Sequence, residues 1–163
     1  MGTGKSSVGR IAAETLQFTF IDTDELIEVH ARKTIPEIFA QDGETVFREH
    51  ERRVLGELEA MEKVVISTGG GLGANEENMA SLKQHALVIC LWASPQVIWN
   101  RVRGQTHRPL LQTPDPEAKI LSLLAEREPV YRQADILVNT EVRSLKEVAQ
   151  HVVHEFHFAV RGR

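Results

Sequence analysis

The chain has 163 residues, a length that fits one compact domain with a substantial core. Its 42% hydrophobic and 26% charged residues are ordinary for a soluble globular protein, and the longest apolar run, residues 86–93, is too short to span a bilayer. The net charge of −4 argues against a broad nucleic-acid surface, and the single cysteine, Cys90, excludes an internal disulfide framework. We therefore expect a cytoplasmic, single-domain protein that binds neither membranes nor nucleic acid.

The first half of the chain reads as helices interrupted by two strands. Apolar spacing predicts helices over residues 6–16, 25–32 and 44–61, and a shorter helix that begins at the capping box of Thr34 and ends at Gly43. Short runs of buried type predict strands over residues 18–21 and 64–66. The second of these strands stops at three consecutive glycines, residues 69–71.

The second half continues the alternation. We predict helices over residues 75–84, 94–103 and 117–133 and a last helix capped by Ser144, with strands over residues 86–92 and 136–138. Residues 104–116 contain three prolines and read as a loop. Strands that alternate with helices indicate an α/β fold with a parallel sheet covered on both faces, and ligands of such sheets bind at the carboxyl ends of the strands.

The opening residues, MGTGKSSVGR, contain the second half of the phosphate-binding loop pattern G-x-x-x-x-G-K-[ST]. Gly4 lets the backbone close around a phosphate, Lys5 would reach the β- and γ-phosphates, and the Ser6 hydroxyl would bind Mg²⁺. Half a motif has a plain alternative, a helix that merely begins with small and polar residues. If the loop is real, a fifth strand should precede it, because this loop joins a strand to a helix.

Two pairs of charged residues are further candidates. Asp22 and Asp24 follow a predicted strand, and residues two apart in an extended chain point the same way, so both could face the phosphates. The alternative is that an aspartate caps the next helix. Arg48 and Glu51 are neighbours on the long helix: they form either an ordinary surface ion pair or a grip in which Glu51 holds Arg48 against a substrate carboxylate.

The remaining candidates lie in loops and in the last helix. Three successive glycines, residues 69–71, suggest that a ligand approaches the backbone closely. Arg108 lies in the proline-containing loop, where it would either act as a lid arginine over the transferring phosphate or have no role. The triplet spacing of His151, His154 and His157 drifts around a helix and lacks an acidic or cysteine partner, so we do not expect a metal site there.

Taken together, the motifs resemble those of the shikimate kinase family almost from end to end: GTGKSSVGR, FIDTDELIE, IPEIFAQDGETVFREHE, VVISTGGG, RPLL and REPVYR. The resemblance implies a P-loop kinase three-layer fold, with a central parallel sheet of five strands, in one domain spanning residues 1–163. It also implies a substrate-binding insertion at about residues 23–61 and a lid at about residues 104–115. The implied reaction is phosphoryl transfer from ATP, with Mg²⁺, to the 3-hydroxyl of shikimate, by a protein that is a monomer.

For the nucleotide, the resemblance implies binding by Gly2, Gly4, Lys5, Ser6, Ser7, Arg101 and Arg108. Lys5 corresponds to the catalytic P-loop lysine and Arg108 to the catalytic lid arginine, and Arg101 lies beside adenine. Ser6 corresponds to the Mg²⁺ ligand, while Asp22 holds the metal through its water shell.

For the substrate, the resemblance implies contacts from Asp24, Arg48, Gly70, Gly71 and Arg132. Asp24 corresponds to the residue that contacts the 3-hydroxyl and acts as the base. Arg48, held by Glu51, and Arg132 correspond to the two arginines that bind the shikimate carboxylate.

The match departs from the family at its amino end, where Met1 stands at a position inside the phosphate loop. We therefore expect that the first strand and the first half of the loop lie upstream of this sequence. Because the first strand would be central in the sheet, we predict that the chain as given folds poorly or binds ATP weakly.

Two other readings remain open at this point. A related small-molecule kinase, such as gluconate kinase, shares the loop and the lid but should lack DTD, FREHE and GGG together. A non-catalytic kinase-like module that binds a nucleotide or a metabolite is a different class of protein. The joint presence of Lys5, Asp22, Asp24 and Arg108 favours catalysis.

Overall fold

A computed structural model of the chain describes residues 2–104 and 113–161. It has eight helices in these ranges: α1 (Lys5–Leu16), α2 (Thr23–Ala31), α3 (Ile35–Gln41), α4 (Gly43–Leu58), α5 (Glu76–His85), α6 (Pro95–Val102), α7 (Pro116–Tyr131) and α8 (Leu145–Arg161). Its four strands there are β1 (Thr19–Asp22), β2 (Val64–Ser67), β3 (Ile89–Trp92) and β4 (Ile136–Asn139), and a 3₁₀ turn covers Leu72–Ala74. None of the described helices is long and apolar enough to cross a membrane.

The helices begin where local sequence supplies a partner for their free N–H groups. The Thr34 hydroxyl accepts from the backbone of Glu37, whose carboxylate accepts from the backbone N–H of Thr34, so the predicted capping box is confirmed. Asn75 and Asp115 cap α5 and α7 through their side-chain oxygens. The helix predictions are therefore confirmed to within a few residues.

The strands form two parallel pairs, with β1 beside β2 and β3 beside β4. In the first pair Asp22 is opposite Ser67, and in the second Trp92 is opposite Asn139, so the two strands of each pair end at the same side. The α/β architecture with parallel strands is confirmed. The strand expected before the phosphate loop would precede residue 1 and lies outside the described residues.

The third strand is shorter than predicted, because pairing sets its start. We expected a strand over residues 86–92, but β3 begins only at Ile89. Ala86 still belongs to the cap of α5, and the N–H of Val88 donates to the side chain of Asp135, 2.9 Å away, rather than to a strand. Regular pairing with β4 therefore begins one residue later.

An apolar cavity of about 570 Å³, which we call the central slot, lies between the two strand pairs. Its walls include both β2 and β3, whereas β1 and β4 lie on the far sides of their partners. Among the described residues, no strand pairs with the edges of β2 and β3 that face this slot. Consequently, strand residues such as Val65, Ile66 and Leu91 are only half-buried.

Two apolar clusters hold the pairs to their helices. One joins α2, α3 and α4 and consists of Ile27, Ile38, Phe47, Val54 and Leu58. The other joins α1, β4 and α8 and consists of Val8, Val138, Val148 and Ala149. The first cluster gives the predicted insertion at about residues 23–61 its own packed core. Most of the predicted lid, residues 105–112, lies outside the described residues.

Candidate active site

The phosphate loop ends at the first turn of α1. Gly4 precedes this helix with a φ of 88°, in the left-handed region where a side chain would be strained. The N-cap residue Gly4 supplies no side-chain hydrogen bond to α1, and the positive end of a helix with its first-turn N–H groups is suited to binding an anion. The positive charge of Lys5 acts to lower the pKa of the Asp24 carboxylate, so the phosphate loop and the candidate base lie close enough to form one site.

Three side-chain oxygens meet beside this helix terminus. The hydroxyl of Ser6 donates to Oδ2 of Asp22 over 2.7 Å and lies 3.3 Å from the hydroxyl of Ser67. Mg²⁺ prefers oxygen ligands and is usually held by one or two carboxylates, together with water and phosphate oxygens. The described residues contain no group of three or more His, Cys, Asp or Glu that could hold a metal. The carboxylate and hydroxyl oxygens beside α1 are ligands of the kind that Mg²⁺ shares with phosphate oxygens.

The two aspartates of DTD reach the site by a route that we did not predict. Strand β1 ends at Asp22, and Asp24 lies in the first turn of α2, so the argument from an extended chain is wrong. The chain becomes helical because Oδ1 of Asp22 accepts the backbone N–H of Asp24, 3.1 Å away. Asp22 thus caps α2 with one oxygen and contacts Ser6 with the other, so the predicted cap does not prevent Asp22 from lying beside the phosphate loop.

Asp24 has a pKa that its surroundings raise well above the usual range. Burial, assisted by the nearby negative charge of Asp22, raises its pKa from 3.8 to about 6, although Lys5 opposes the shift. Glu28 and Glu51 add smaller effects in the same direction as Asp22. A pKa in this range is typical of a carboxylate that accepts a proton during catalysis.

Arg48 is oriented by two glutamates of its own helix. Its Nη1 donates to Glu51 over 2.6 Å and its Nη2 to Glu44 over 2.7 Å. The side chain of Glu51 is only 3% exposed, so this contact is not an ordinary surface ion pair. The predicted contact between Glu51 and Arg48 is confirmed, and it leaves the guanidinium in a defined position beside the glycines.

Each glycine of the loop at residues 69–71, which we call the glycine loop, has a different polar side chain against its backbone. A Cβ at Gly69 would collide with the carboxylate of Asp24, and one at Gly71 would collide with the guanidinium of Arg48. A Cβ at Gly70 would lie 3.4 Å from Nη1 of Arg127. The three glycines therefore bring a carboxylate and two guanidinium groups around one short loop.

Arg127 is a residue that our sequence analysis missed. Its Nη1 donates to the carbonyl of Gly70 over 3.3 Å, and the hydroxyl of Tyr131 donates to the same carbonyl over 2.9 Å. Helical spacing could have found it, because residue 127 lies at the buried positions of α7, seven residues after Ile120 and three before Val130.

Arg132 is not brought to the glycine loop. Its Nε donates to Glu128 over 2.8 Å, one turn earlier on α7, and its side chain is 67% exposed. The motif REPVYR contains Arg127 and Arg132, and these two residues lie on different sides of α7 and its C-terminal end. In the structure Arg127, and not Arg132, therefore contacts the glycine loop.

Arg101 lies beside a second cavity, of about 300 Å³, which is also lined by Gly2 and Gly4. Its guanidinium donates to the hydroxyl and to the carbonyl of Thr140 over 2.9 and 2.6 Å. This cavity adjoins the phosphate loop, as expected for a nucleotide base site. Arg108 lies outside the described residues.

Comparisons with known proteins agree with this geometry. The family model described as shikimate kinase matches residues 1–157. A shikimate kinase from Thermodesulfovibrio yellowstonii is 41% identical over the whole chain, which covers 94% of that relative. A relative of the same name from Caldanaerobacter subterraneus is 40% identical over the whole chain and is covered over 95% of its length.

A solved structure of a shikimate kinase from Acinetobacter baumannii, in complex with shikimate, aligns with a TM-score of 0.91. It shares 37% identity with this chain over 98% of this chain and 89% of its own. ATP and Mg²⁺ are used throughout this family. The phosphate loop, the two aspartates near it and the arginine-lined glycine loop fit those requirements, and this chain belongs to the shikimate kinase family.

Proposed function

We propose that this chain transfers the γ-phosphoryl group of ATP to the 3-hydroxyl of shikimate, giving shikimate 3-phosphate and ADP. One observation carries the proposal: the glycine loop has Asp24, Arg127 and Arg48 against its three successive residues. Two guanidinium groups suit a carboxylate, and a buried carboxylate suits a hydroxyl group. Shikimate is a small hydroxylated acid, so this arrangement matches both kinds of group that it carries.

The phosphate side of the reaction belongs to the first turn of α1. The N–H groups there, with Gly4 in its left-handed conformation, would bind the β- and γ-phosphates, and Lys5 would neutralise their charge. Ser6 would hold Mg²⁺ directly and Asp22 through water, consistent with the 2.7 Å contact between them. When bound, Mg²⁺ neutralises charge that develops on the transferring phosphoryl group.

Asp24 would orient the 3-hydroxyl and accept its proton. Phosphoryl transfer passes through a loose transition state, so the proton leaves late and positioning matters more than a strong base. A pKa of about 6 still leaves the carboxylate largely ionised at pH 7 and makes it a better proton acceptor than an ordinary aspartate.

Arg48 and Arg127 would bind the shikimate carboxylate between them, with Gly70 and Gly71 forming the floor. Arg48 is already oriented by Glu51 and Glu44, which reduces the entropy lost on binding. We assign the second contact to Arg127 rather than Arg132, because Arg127 reaches the glycine loop and Arg132 is bound to Glu128.

Arg101 would lie beside adenine in the second cavity, where Thr140 fixes its guanidinium. Arg108 remains our prediction for the lid arginine that reaches the phosphates, as the family resemblance implies. We also propose that the enzyme acts as a monomer in the cytoplasm. The single cysteine fits a reducing compartment, and the monomer is what the family resemblance implies.

The direct test is release of ADP by the full chain with ATP and Mg²⁺, comparing shikimate, gluconate and no acceptor. We expect release with shikimate alone. Release with gluconate instead would favour the related kinase, and saturable shikimate binding without turnover would favour a non-catalytic module. Because weak ATP binding could hide activity, a form extended upstream by a strand and the first half of the phosphate loop is assayed beside it.

The assignment of the second arginine has its own test. We expect Arg127→Ala to raise the KM for shikimate by roughly tenfold to a hundredfold, because it removes a charged contact to the substrate, whereas Arg132→Ala changes it less than about twofold. The KM for ATP serves as the internal control in both variants. The reverse pattern would restore the original assignment to Arg132.

A further inference from the structure

Thr23, the middle residue of DTD, is completely buried although it is polar and stands between two functional carboxylates. Its exposed fraction is 0%, and it is the first residue of α2. Buried hydroxyl groups need a partner, because an unpaired one loses its hydrogen bonds to water. The hydrogen-bond partner of the Thr23 hydroxyl therefore indicates the role of this residue.

That partner is the glycine loop. The backbone N–H of Gly69 donates to Oγ1 of Thr23 over 2.8 Å, in a buried bond that joins positions 46 residues apart in sequence. It lies just past the last paired residues of β1 and β2, Asp22 and Ser67. The bond thus continues the link between the two strands into the active site, where backbone pairing has stopped.

The same contact sets the distance between the loop and the base. The backbone of Gly69 lies so close to the carboxylate of Asp24 that a Cβ would collide with it. The hydrogen bond that holds the backbone of Gly69 in this position comes from Thr23, the residue next to Asp24. On the other side, Tyr131 binds the carbonyl of Gly70 over 2.9 Å, so the loop is held at two successive residues.

Threonine suits this role better than serine would. Its second Cβ substituent restricts χ1, which fixes the direction of the hydroxyl. Because the whole side chain is buried, the methyl group also fills space that water would otherwise enter and compete for the N–H of Gly69.

We propose that Thr23 is a positioning residue for phosphoryl transfer: its hydroxyl holds the glycine loop against Asp24 and so aligns the acceptor hydroxyl with the base. This inference rests on the proposed function, because it needs shikimate to contact both the glycine loop and Asp24. It predicts an effect on the acceptor side of the reaction alone, since the bond does not involve the phosphate loop or the cavity beside Arg101.

The test is a series of substitutions assayed by ADP release with both substrates varied. Thr23→Val keeps the shape and removes the acceptor, so kcat/KM for shikimate should fall on the order of tenfold or more while the KM for ATP changes less than about twofold. Thr23→Ser restores the hydroxyl and should recover most of the loss. Thr15→Val is the matched control, because it removes an exposed hydroxyl that donates to Ile11 on α1, and it should behave as the unmodified chain.

A purely structural role would lower activity with both substrates in step with the folded fraction, which thermal melting measures. Should Thr23→Val not fold, the pair Thr23→Ser and Thr23→Ala decides, since both lack the methyl group and differ only in the hydroxyl. Equal kcat/KM for shikimate in Thr23→Val and the unmodified chain, or in the Ser and Ala variants, would overturn the proposal. Absence of turnover in the unmodified chain and in its upstream-extended form would instead refute the proposed function itself.

Discussion

The glycine loop at the end of β2 and the central slot along the edge of the same strand differ in how closely their residues are packed. In the loop, three residues have side-chain contacts from three helices: Asp24 and Thr23 from α2, Arg48 from α4 and Arg127 from α7. In the slot, apolar strand residues are half-buried and face a cavity of about 570 Å³. Side-chain contacts hold the glycine loop in place, whereas among the described residues no strand pairs with the edges of β2 and β3 at the central slot.

This difference suggests that chemistry and stability can be separated experimentally in this chain. Changes in the glycine loop should alter shikimate turnover while leaving the fold intact. Changes at the slot should alter the free energy of unfolding first. Four predictions test that separation.

The largest effect is expected for Asp24→Asn. Loss of the base and of its charge should lower kcat by about 10²–10⁴-fold, because general bases contribute on this scale. The Kd for ATP, measured by titration in the presence of Mg²⁺, should change little. An equal loss of turnover and of nucleotide affinity would show that Asp24 organises the phosphate loop rather than the acceptor.

Adding a strand at the central slot should raise the stability of the fold. We expect that four apolar residues of high strand propensity, the length of β2 and β3, raise the melting temperature when fused ahead of Met1, since Thr3 already lines the slot. A net gain of about 3 kcal/mol corresponds to roughly 6–12 °C for a domain of this size. Fusion of a Gly/Ser segment of equal length is the control. Equal melting of the two fusions would mean that the slot does not accept a strand.

Asp24 should also make stability depend on pH. Its pKa is raised from 3.8 to about 6 on folding, so the folded state binds this proton more tightly than the unfolded state. Ionisation therefore destabilises the fold above about pH 6, by about 3 kcal/mol at most, and this cost disappears as the pH falls towards 4.

Urea unfolding without nucleotide or Mg²⁺ checks this expectation. Asp24→Asn, which stays neutral, should be more stable than the unmodified chain at pH 8 and nearly equal to it near pH 4. A gain in stability that is the same at both pH values would assign it to packing rather than to the desolvated charge.

The smallest effect is expected for Gly71→Ala, which compares with Gly56→Ala. Gly71 has an ordinary φ of −78°, so its backbone tolerates alanine, but the added Cβ would displace the guanidinium of Arg48. Displacement of Arg48 weakens a charged hydrogen bond to the substrate, worth about 1.5–3 kcal/mol, so kcat/KM for shikimate should fall roughly tenfold to a hundredfold. Gly56 lies in α4 with nothing within 4 Å of its Cβ position, and its substitution should leave the kinetics unchanged.

Local sequence predicted most elements because the signals for them are local. The capping box at Thr34, the cap at Asn75 and the apolar spacing of the helices set their limits without help from distant residues. The Arg48–Glu51 contact was predictable for the same reason, since helical neighbours meet wherever the helix packs.

Predictions differed from the structure where the outcome depended on contacts outside the local sequence pattern. Asp24 was expected in an extended chain, but the cap formed by Asp22 turns the chain into α2. Arg132 was chosen from REPVYR over Arg127, and only the packing of α7 against the glycine loop distinguishes the two. The start of β3 likewise depended on Asp135, which lies 47 residues beyond Val88.

The sequence by itself determined the family, the order of helices and strands, and the chemical types that the site contains, because these follow from local motifs and their spacing. Only the tertiary structure decided which carboxylate becomes desolvated, which arginine faces the glycine loop and which hydroxyl holds it. These depend on burial and on contacts across about 50 residues of chain, as between Thr23 and Gly69. A pattern of residue types does not contain those distances, since they arise only when α2, α4 and α7 pack around the end of β2.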